Sequence, residues 1–209
     1  MKKNIPTIIA TAAIIAFIAG GFYLIGRGGS GSPTGNAAGV DSMHSGAALS
    51  LGSFNDLIGK PVPTFSLRDR NGAEYSAENL KGKNIILFFN EGLMCYPACW
   101  NQIVALATDP RFNDSDVAAF SVVTDQPSDW QSAIRKMPDL GKATILFDNS
   151  KSVSQAFGML TVPSSMHYGS YPGHSFVLVD KQGVVRFIFD DPNMGIDNDR
   201  IVAELQKLN

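Results

Sequence analysis

The sequence predicts an α/β domain: a central mixed β-sheet flanked by helices, preceded by an N-terminal transmembrane helix. Three observations lead there. Apolar runs of strand length alternate with segments of helical period from residue 84 onward. Turn signals at Asn71-Gly72 and Gln182-Gly183 add hairpins, hence antiparallel partners. An uncharged apolar stretch runs from Ile5 to Ile25 and is unlike anything that follows.

Met1-Lys2-Lys3 leads into apolar sequence from Ile5 to Ile25. At ~1.5 Å per residue, a helix of that length crosses a ~30 Å hydrocarbon core. A cleaved secretory signal has a shorter apolar region, ~7–15 residues, and a small-x-small cleavage site. The expectation over 1–26 is therefore an anchor, with a signal as the alternative. Lys2 and Lys3 favour a cytoplasmic N-terminus, with Arg27 opposing them on the other flank. This places a single-pass protein in the cell membrane with its domain on the extracytoplasmic side, where disulfides persist. Residues 27–52 read as a flexible linker opened by Gly28-Gly29-Ser30-Gly31-Ser32-Pro33. Met43 and His44 are incidental residues within it.

The domain occupies 53–209. Pro63 to Leu67 alternates as a strand, Asp69 to Gly72 turns, and Glu74 to Ser76 returns. Asn84 to Asn90 is a continuous apolar run between Gly82 and Gly92, the pattern of a strand buried on both faces. Trp100 to Ala107 has helical period. Val117 to Thr124 is a strand, and Ser128 caps a helix reaching Met137. Ala143 to Phe147 is a strand, and Ser152 to Phe157 is a helix ended by Gly158. Ser175 to Val179 and Val184 to Phe189 form the closing hairpin. Asp197 or Asn198 caps a last helix, Arg200 to Leu208. The 13-residue stretch 161–173, with Pro163, Gly169, Pro172 and Gly173, is a long connection expected to pack over the Cys95 region. Pro163 and Pro172 are its candidates for a cis bond.

Seventeen basic residues against 19 acidic ones, a net charge of -2, give no footprint for a nucleic acid. There are two cysteines, too few for a disulfide scaffold, and they close too short a loop to stabilise the chain much. Chemistry is the better account of them. They stand in Gly92-Leu93-Met94-Cys95-Tyr96-Pro97-Ala98-Cys99-Trp100, between a buried strand and a helix. Pro97 suits a first helical turn, which puts Cys95 at or just before the helix start. Amide donors and the helix dipole there favour a thiolate, so Cys95 is the expected nucleophile. Cys99, one turn on, is placed to resolve a mixed disulfide. Both are the expected catalytic residues. Glu91 is read as a solvated loop acid, with proton acceptor for Cys95 as its alternative. Trp100 and Trp130 are core or rim aromatics.

Leu57-Ile58-Gly59-Lys60-Pro61-Val62-Pro63-Thr64-Phe65-Ser66-Leu67, then Asn71-Gly72, Leu80-Lys81-Gly82-Lys83 and Phe176-Val177-Leu178-Val179-Asp180-Lys181-Gln182-Gly183, together resemble the redoxin family. That family comprises the alkyl hydroperoxide reductase/thiol-specific antioxidant proteins and their thioredoxin-like relatives. The resemblance covers about Phe54 to Asn209. It implies a thioredoxin fold and a thiol-dependent oxidoreductase or peroxidase, with a protein disulfide or dithiol, or a peroxide, as partner and no cofactor. Two departures stand out. The Thr or Ser that the family's peroxidases carry three residues before their cysteine is Gly92 here, and their earlier proline is Phe88.

Three residues between two cysteines is also the spacing of SCO/SenC copper-delivery proteins, which share the fold. Their histidine before the late strand corresponds to His174 here. On that resemblance, Cys95, Cys99 and His174 would hold copper, as soft thiolates and an imidazole can. Trp100 departs from the proline those proteins carry after the second cysteine. Met159, Met166, Met194 and His167 are further soft donors nearby in sequence, read as packing residues.

Overall fold

The computed structural model describes residues 54–208. The anchor expected over 1–26, the linker over 27–52 and the first and last residues of the domain, 53 and 209, lie outside the described residues. Among those described, no helix is long and apolar enough to cross a membrane.

Seven strands form one sheet: β1 (Ser66–Arg68), β2 (Glu74–Ser76), β3 (Asn84–Phe89), β4 (Val117–Val123), β5 (Ile145–Phe147), β6 (Ser175–Val179) and β7 (Val185–Asp190), in spatial order β2-β1-β5-β4-β3-β6-β7. The β3–β4 and β4–β5 pairs are parallel, and the rest antiparallel. The parallel crossovers carry α1 (Ala98–Thr108) and α2 (Trp130–Lys136); α3 (Ser152–Ala156) and α4 (Asn198–Leu205) follow. At the β7 edge, the 59–62 segment runs antiparallel to the strand start. Gly59 N–H donates to Val185 O at 2.8 Å, and Val185 N–H to Lys60 O at 2.9 Å. That pairing occupies backbone groups an open edge would expose.

All six residues of β3 are buried, and their period of two divides the core. Ile85, Leu87 and Phe89 face a cluster with Phe65, Val153, Phe157 and Val177. Ile86 and Phe88 face the opposite one, where α1 contributes Trp100, Ile103 and Leu106, α2 contributes Trp130, and α4 contributes Ile201 and Leu205. A central strand covered on both sides is why this run has no polar alternation.

Among the described residues the expected elements are present with shifted ends, and three local details differ from expectation. Ser128 does not cap α2: Asp129 holds the cap position, and the Ser128 hydroxyl donates to the Asp129 carboxylate instead. Asp197 holds the cap position before α4 as expected, but without a side-chain capping bond, its carboxylate meeting Arg200 at 3.3 Å. The cis peptide bond is Tyr96–Pro97, not one at Pro163 or Pro172.

Candidate dithiol site

Topology gathers the site. Because β3 and β6 are antiparallel with Phe89 opposite Ser175, the end of β3 lies beside the start of β6. Ser175 also pairs with Asp190, so the end of β7 joins them. Three segments therefore meet at one sheet end: 90–99 after β3, 161–174 before β6, and 191–197 after β7.

Cys95 and Cys99 are joined as a disulfide, Cα–Cα 5.3 Å. The expected pairing one turn apart is what the structure has. The helix start differs from expectation. Pro97 occupies the cap position and α1 begins at Ala98, so Cys95 lies in the preceding turn and Cys99 is the helix's second residue. Cys99 N–H donates to Cys95 O at 2.9 Å, which ties the turn to the helix. The helix dipole therefore bears on the Cys99 sulfur more directly than on that of Cys95. Both residues are buried. Cys95 nevertheless sits between exposed neighbours, Met94 and Tyr96.

The turn leading into Cys95 is built around Gly92. Its φ is +63°, and a Cβ there would stand 1.8 Å from Asp125 Oδ2. That carboxylate accepts from Leu93 N–H at 3.1 Å. Gly92 N–H donates to Asn90 Oδ1, and Gly92 O accepts from the Trp100 indole at 3.2 Å. The hydroxyl expected of a peroxidase at this position has no room, because the Asp125 carboxylate fills it. Burial pushes the Asp125 carboxyl up.

Glu91 is not a solvated loop acid. It is fully buried and accepts from Met166 N–H at 2.7 Å and His167 N–H at 3.1 Å, with His167 Nδ1 3.1 Å from its other oxygen. It clamps the 161–173 connection onto the cysteine turn, so its carboxylate is committed to the loop rather than to Cys95. Sequence reasoning missed this; the signal was an acid directly after a doubly buried strand, where solvent is scarce. We expect Glu91→Ala to leave two amides unpartnered, costing about 2–3 kcal/mol locally. Amide hydrogen exchange at Met166 and His167 accelerating about 30-fold or more would show it.

His174 faces the cysteines, as the resemblance to copper-delivery proteins implied. Its Nδ1 lies 3.6 Å from Cys99 Sγ, and its Nε2 3.1 Å from Gly195 O. The donor atoms of Cys95, Cys99 and His174 lie within 4.8 Å of one another. Burial lowers the imidazole's pKa to about 4, opposed by the nearby Asp191 and Asp190 carboxylates. An unfolded chain takes up a proton near pH 6.5, where the folded ring does not, so stability falls on acidification from about pH 6.5 to about pH 4. Removal of this one group, as in His174→Asn, is expected to lessen that acid loss by up to about 3 kcal/mol. Urea midpoints of both proteins at pH 7 and pH 5 read the difference.

The other soft donors divide. Met194 brings its sulfur 3.9 Å from Cys95 Sγ, on backbone with φ +53°. Met159 is core, Met166 is exposed, and His167 belongs to Glu91. Trp100 and Trp130 are both buried.

A disulfide-bonded cysteine pair between a buried strand and a helix, on a mixed sheet of this order, is a thioredoxin-like arrangement. The AhpC/TSA family model matches residues 58–188, and the chain belongs to that family. It is 27% identical over 141 residues to chloroplastic peroxiredoxin Q of Populus jackii, matching 64% of this chain and 60% of that protein. The chain thus spans about three fifths of the length of the curated relatives it matches. AhpC of Enterococcus faecalis superposes with a TM-score of 0.62 at 18% identity, covering 72% of this chain and 91% of the other. A putative protein disulfide isomerase from Bacteroides thetaiotaomicron superposes at 0.55 with 15% identity, covering 72% and 89%. These two likenesses concern the fold.

Proposed function

We propose that this protein is a membrane-anchored, extracytoplasmic thiol-dependent oxidoreductase that cycles Cys95 and Cys99 between dithiol and disulfide. The observation that carries the reading is the bonded pair itself, set where a strand delivers a turn to a helix start. Membership of a peroxide-reducing family supports thiol chemistry, and the apolar run behind Lys2 and Lys3 supports the anchor.

In the reducing direction, the Cys95 thiolate attacks a partner's disulfide and one partner thiolate leaves. Cys99 then attacks Cys95 Sγ, the protein closes its own disulfide, and the second partner thiol leaves: two electrons pass to the partner. With a peroxide, Cys95 becomes a sulfenic acid and Cys99 displaces water. An external dithiol restores the starting state. The occupied space at Gly92 favours a disulfide over a peroxide as the electrophile.

Turnover of a model protein disulfide and of hydrogen peroxide, each driven by excess dithiol, tests the reading. We expect disulfide turnover to exceed peroxide turnover by at least about tenfold, judged by kcat/KM. Faster peroxide turnover would place the protein among the peroxidases, and turnover of neither would overturn the reading. The copper alternative needs both sulfurs as thiolates, which only the reduced half of the cycle offers beside the imidazole. Tight copper(I) retention by the reduced protein, lost in Cys95→Ser, is the result that would favour that alternative.

A further inference from the structure

We propose that His174 is the catalytic base of the closing step, taking the Cys99 thiol proton as Cys99 attacks Cys95. This rests on the dithiol reading above and assigns the proton transfer that reading leaves open.

Hydrogen bonding settles which nitrogen is bare. Gly195 O, 3.1 Å from Nε2, can only accept, so Nε2 carries the hydrogen. In the neutral ring, Nδ1 then presents its lone pair, and the atom in front of it is Cys99 Sγ at 3.6 Å. The ring is held in that pose. Its backbone N–H donates to Ser164 Oγ at 2.7 Å, and its carbonyl accepts from Asp191 N–H at 2.9 Å. Its face and edge pack on Phe88 and Phe176, with centroids 4.6 and 5.7 Å away.

The surroundings suit a ring that is neutral at rest and charged in passing. From the end of β7, Asp190 and Asp191 favour the imidazolium, and Asp197, at the start of α4, completes a close His174-Asp191-Asp197 group. From the α1 side the ring meets the two cysteine sulfurs. Burial opposes the charge and keeps the lone pair free between turnovers, and the Cys99 thiolate formed beside Nδ1 supplies the counter-charge that lets the ring hold the proton during the step. Cys99 needs such a partner, since at 1% exposure it has little access to water as a proton acceptor.

The step balances. With Cys95 in a mixed disulfide, the Cys99 S–H proton moves to Nδ1, and the Cys99 sulfur forms a bond to Cys95 Sγ. The bond between Cys95 and the partner sulfur breaks, and its electron pair leaves on the partner as a thiolate. The imidazolium then gives its proton to solvent. In reverse, the imidazolium protonates Cys99 as the leaving sulfur.

Dithiobis(nitrobenzoate) separates the two halves of the reaction, because each releases one coloured thiolate. Mixed with the fully reduced chain, it should give a first phase from Cys95 and a second from Cys99. The wild-type second phase should be nearly constant between about pH 5.5 and 8, since transfer within the pair changes no net protonation. In His174→Asn it should instead rise with the Cys99 thiolate, about tenfold per pH unit below an ordinary thiol pKa of ~8.5. The loss is then on the order of 10- to 100-fold near pH 6.5 and shrinks to under about threefold near pH 9.5. The first phase should be unchanged within about twofold, and that, with the alkaline recovery, separates lost base chemistry from a damaged fold. Equal second phases in the two proteins near pH 6.5, or parallel pH profiles, would overturn the assignment. A wild-type chain that releases no second equivalent would overturn the dithiol reading itself.

Discussion

Replacing Cys95 with serine should abolish turnover, and replacing Cys99 should stop the reaction one step later. The two losses are alike in size and different in kind. Cys95 lies in the turn before α1, itself 3% exposed but flanked by the exposed Met94 and Tyr96, and under the proposed cycle it is the sulfur that attacks the partner. A serine hydroxyl at that place is un-ionised and forms no disulfide, so the loss in kcat/KM should be on the order of 10⁴-fold or more. Cys99 is the second residue of α1 and 1% exposed. Without it, Cys95 can still attack, but the mixed disulfide has no internal exit. Cys99→Ser should therefore accumulate a covalent adduct with a substrate protein, visible as an added mass that dithiothreitol removes. A Cys99→Ser protein that turns over normally, or a Cys95→Ser protein that collects the adduct, would reverse the roles assigned to the two sulfurs.

The second large effect is expected at Gly92. Installing the hydroxyl that family peroxidases carry, as Gly92→Thr, should cost stability and yield no peroxidase. The backbone there is left-handed at φ +63°, which costs a β-branched residue about 1–2 kcal/mol. Its Cβ would stand 1.8 Å from the Asp125 carboxylate, and overpacking of that kind costs about 1–3 kcal/mol more. A total near 3 kcal/mol lowers the melting temperature of a domain this size by roughly 10 °C. The Asp125 side chain also holds Leu93 N–H, so displacing it loosens the approach to Cys95. Unchanged stability together with a marked rise in peroxide turnover would show that the site keeps room for a peroxidase hydroxyl.

What the sequence disclosed follows from how local each signal is. The run Asn84 to Phe89 declares itself, because burial on both faces leaves no room for polar residues. The turns at Gly72 and Gly183, with φ +81° at each, are written in single residues. The Cys95–Cys99 pairing follows from spacing, and His174 from the resemblance to copper-delivery proteins that carry a histidine before the corresponding strand. Glu91 was misread because its partners, Met166 and His167, lie 75 and 76 residues away along the chain. The Asp125 carboxylate against Gly92 is likewise a long-range contact that no local pattern announces. The helix start slipped by three residues from Cys95 because the turn through Tyr96-Pro97 is closed by its own backbone bond before α1 begins. That slip shifts the dipole's benefit toward Cys99.

All of this depends on the two sulfurs behaving as one two-electron couple. The most direct measurement is to equilibrate the full chain in glutathione buffers of stepped ratio, quench with a maleimide, and weigh the intact protein. The account predicts two species alone, with no label or with two, exchanging across a single midpoint potential. Persistent double labelling in the most oxidising buffers, or a dominant singly labelled species between the extremes, would contradict it.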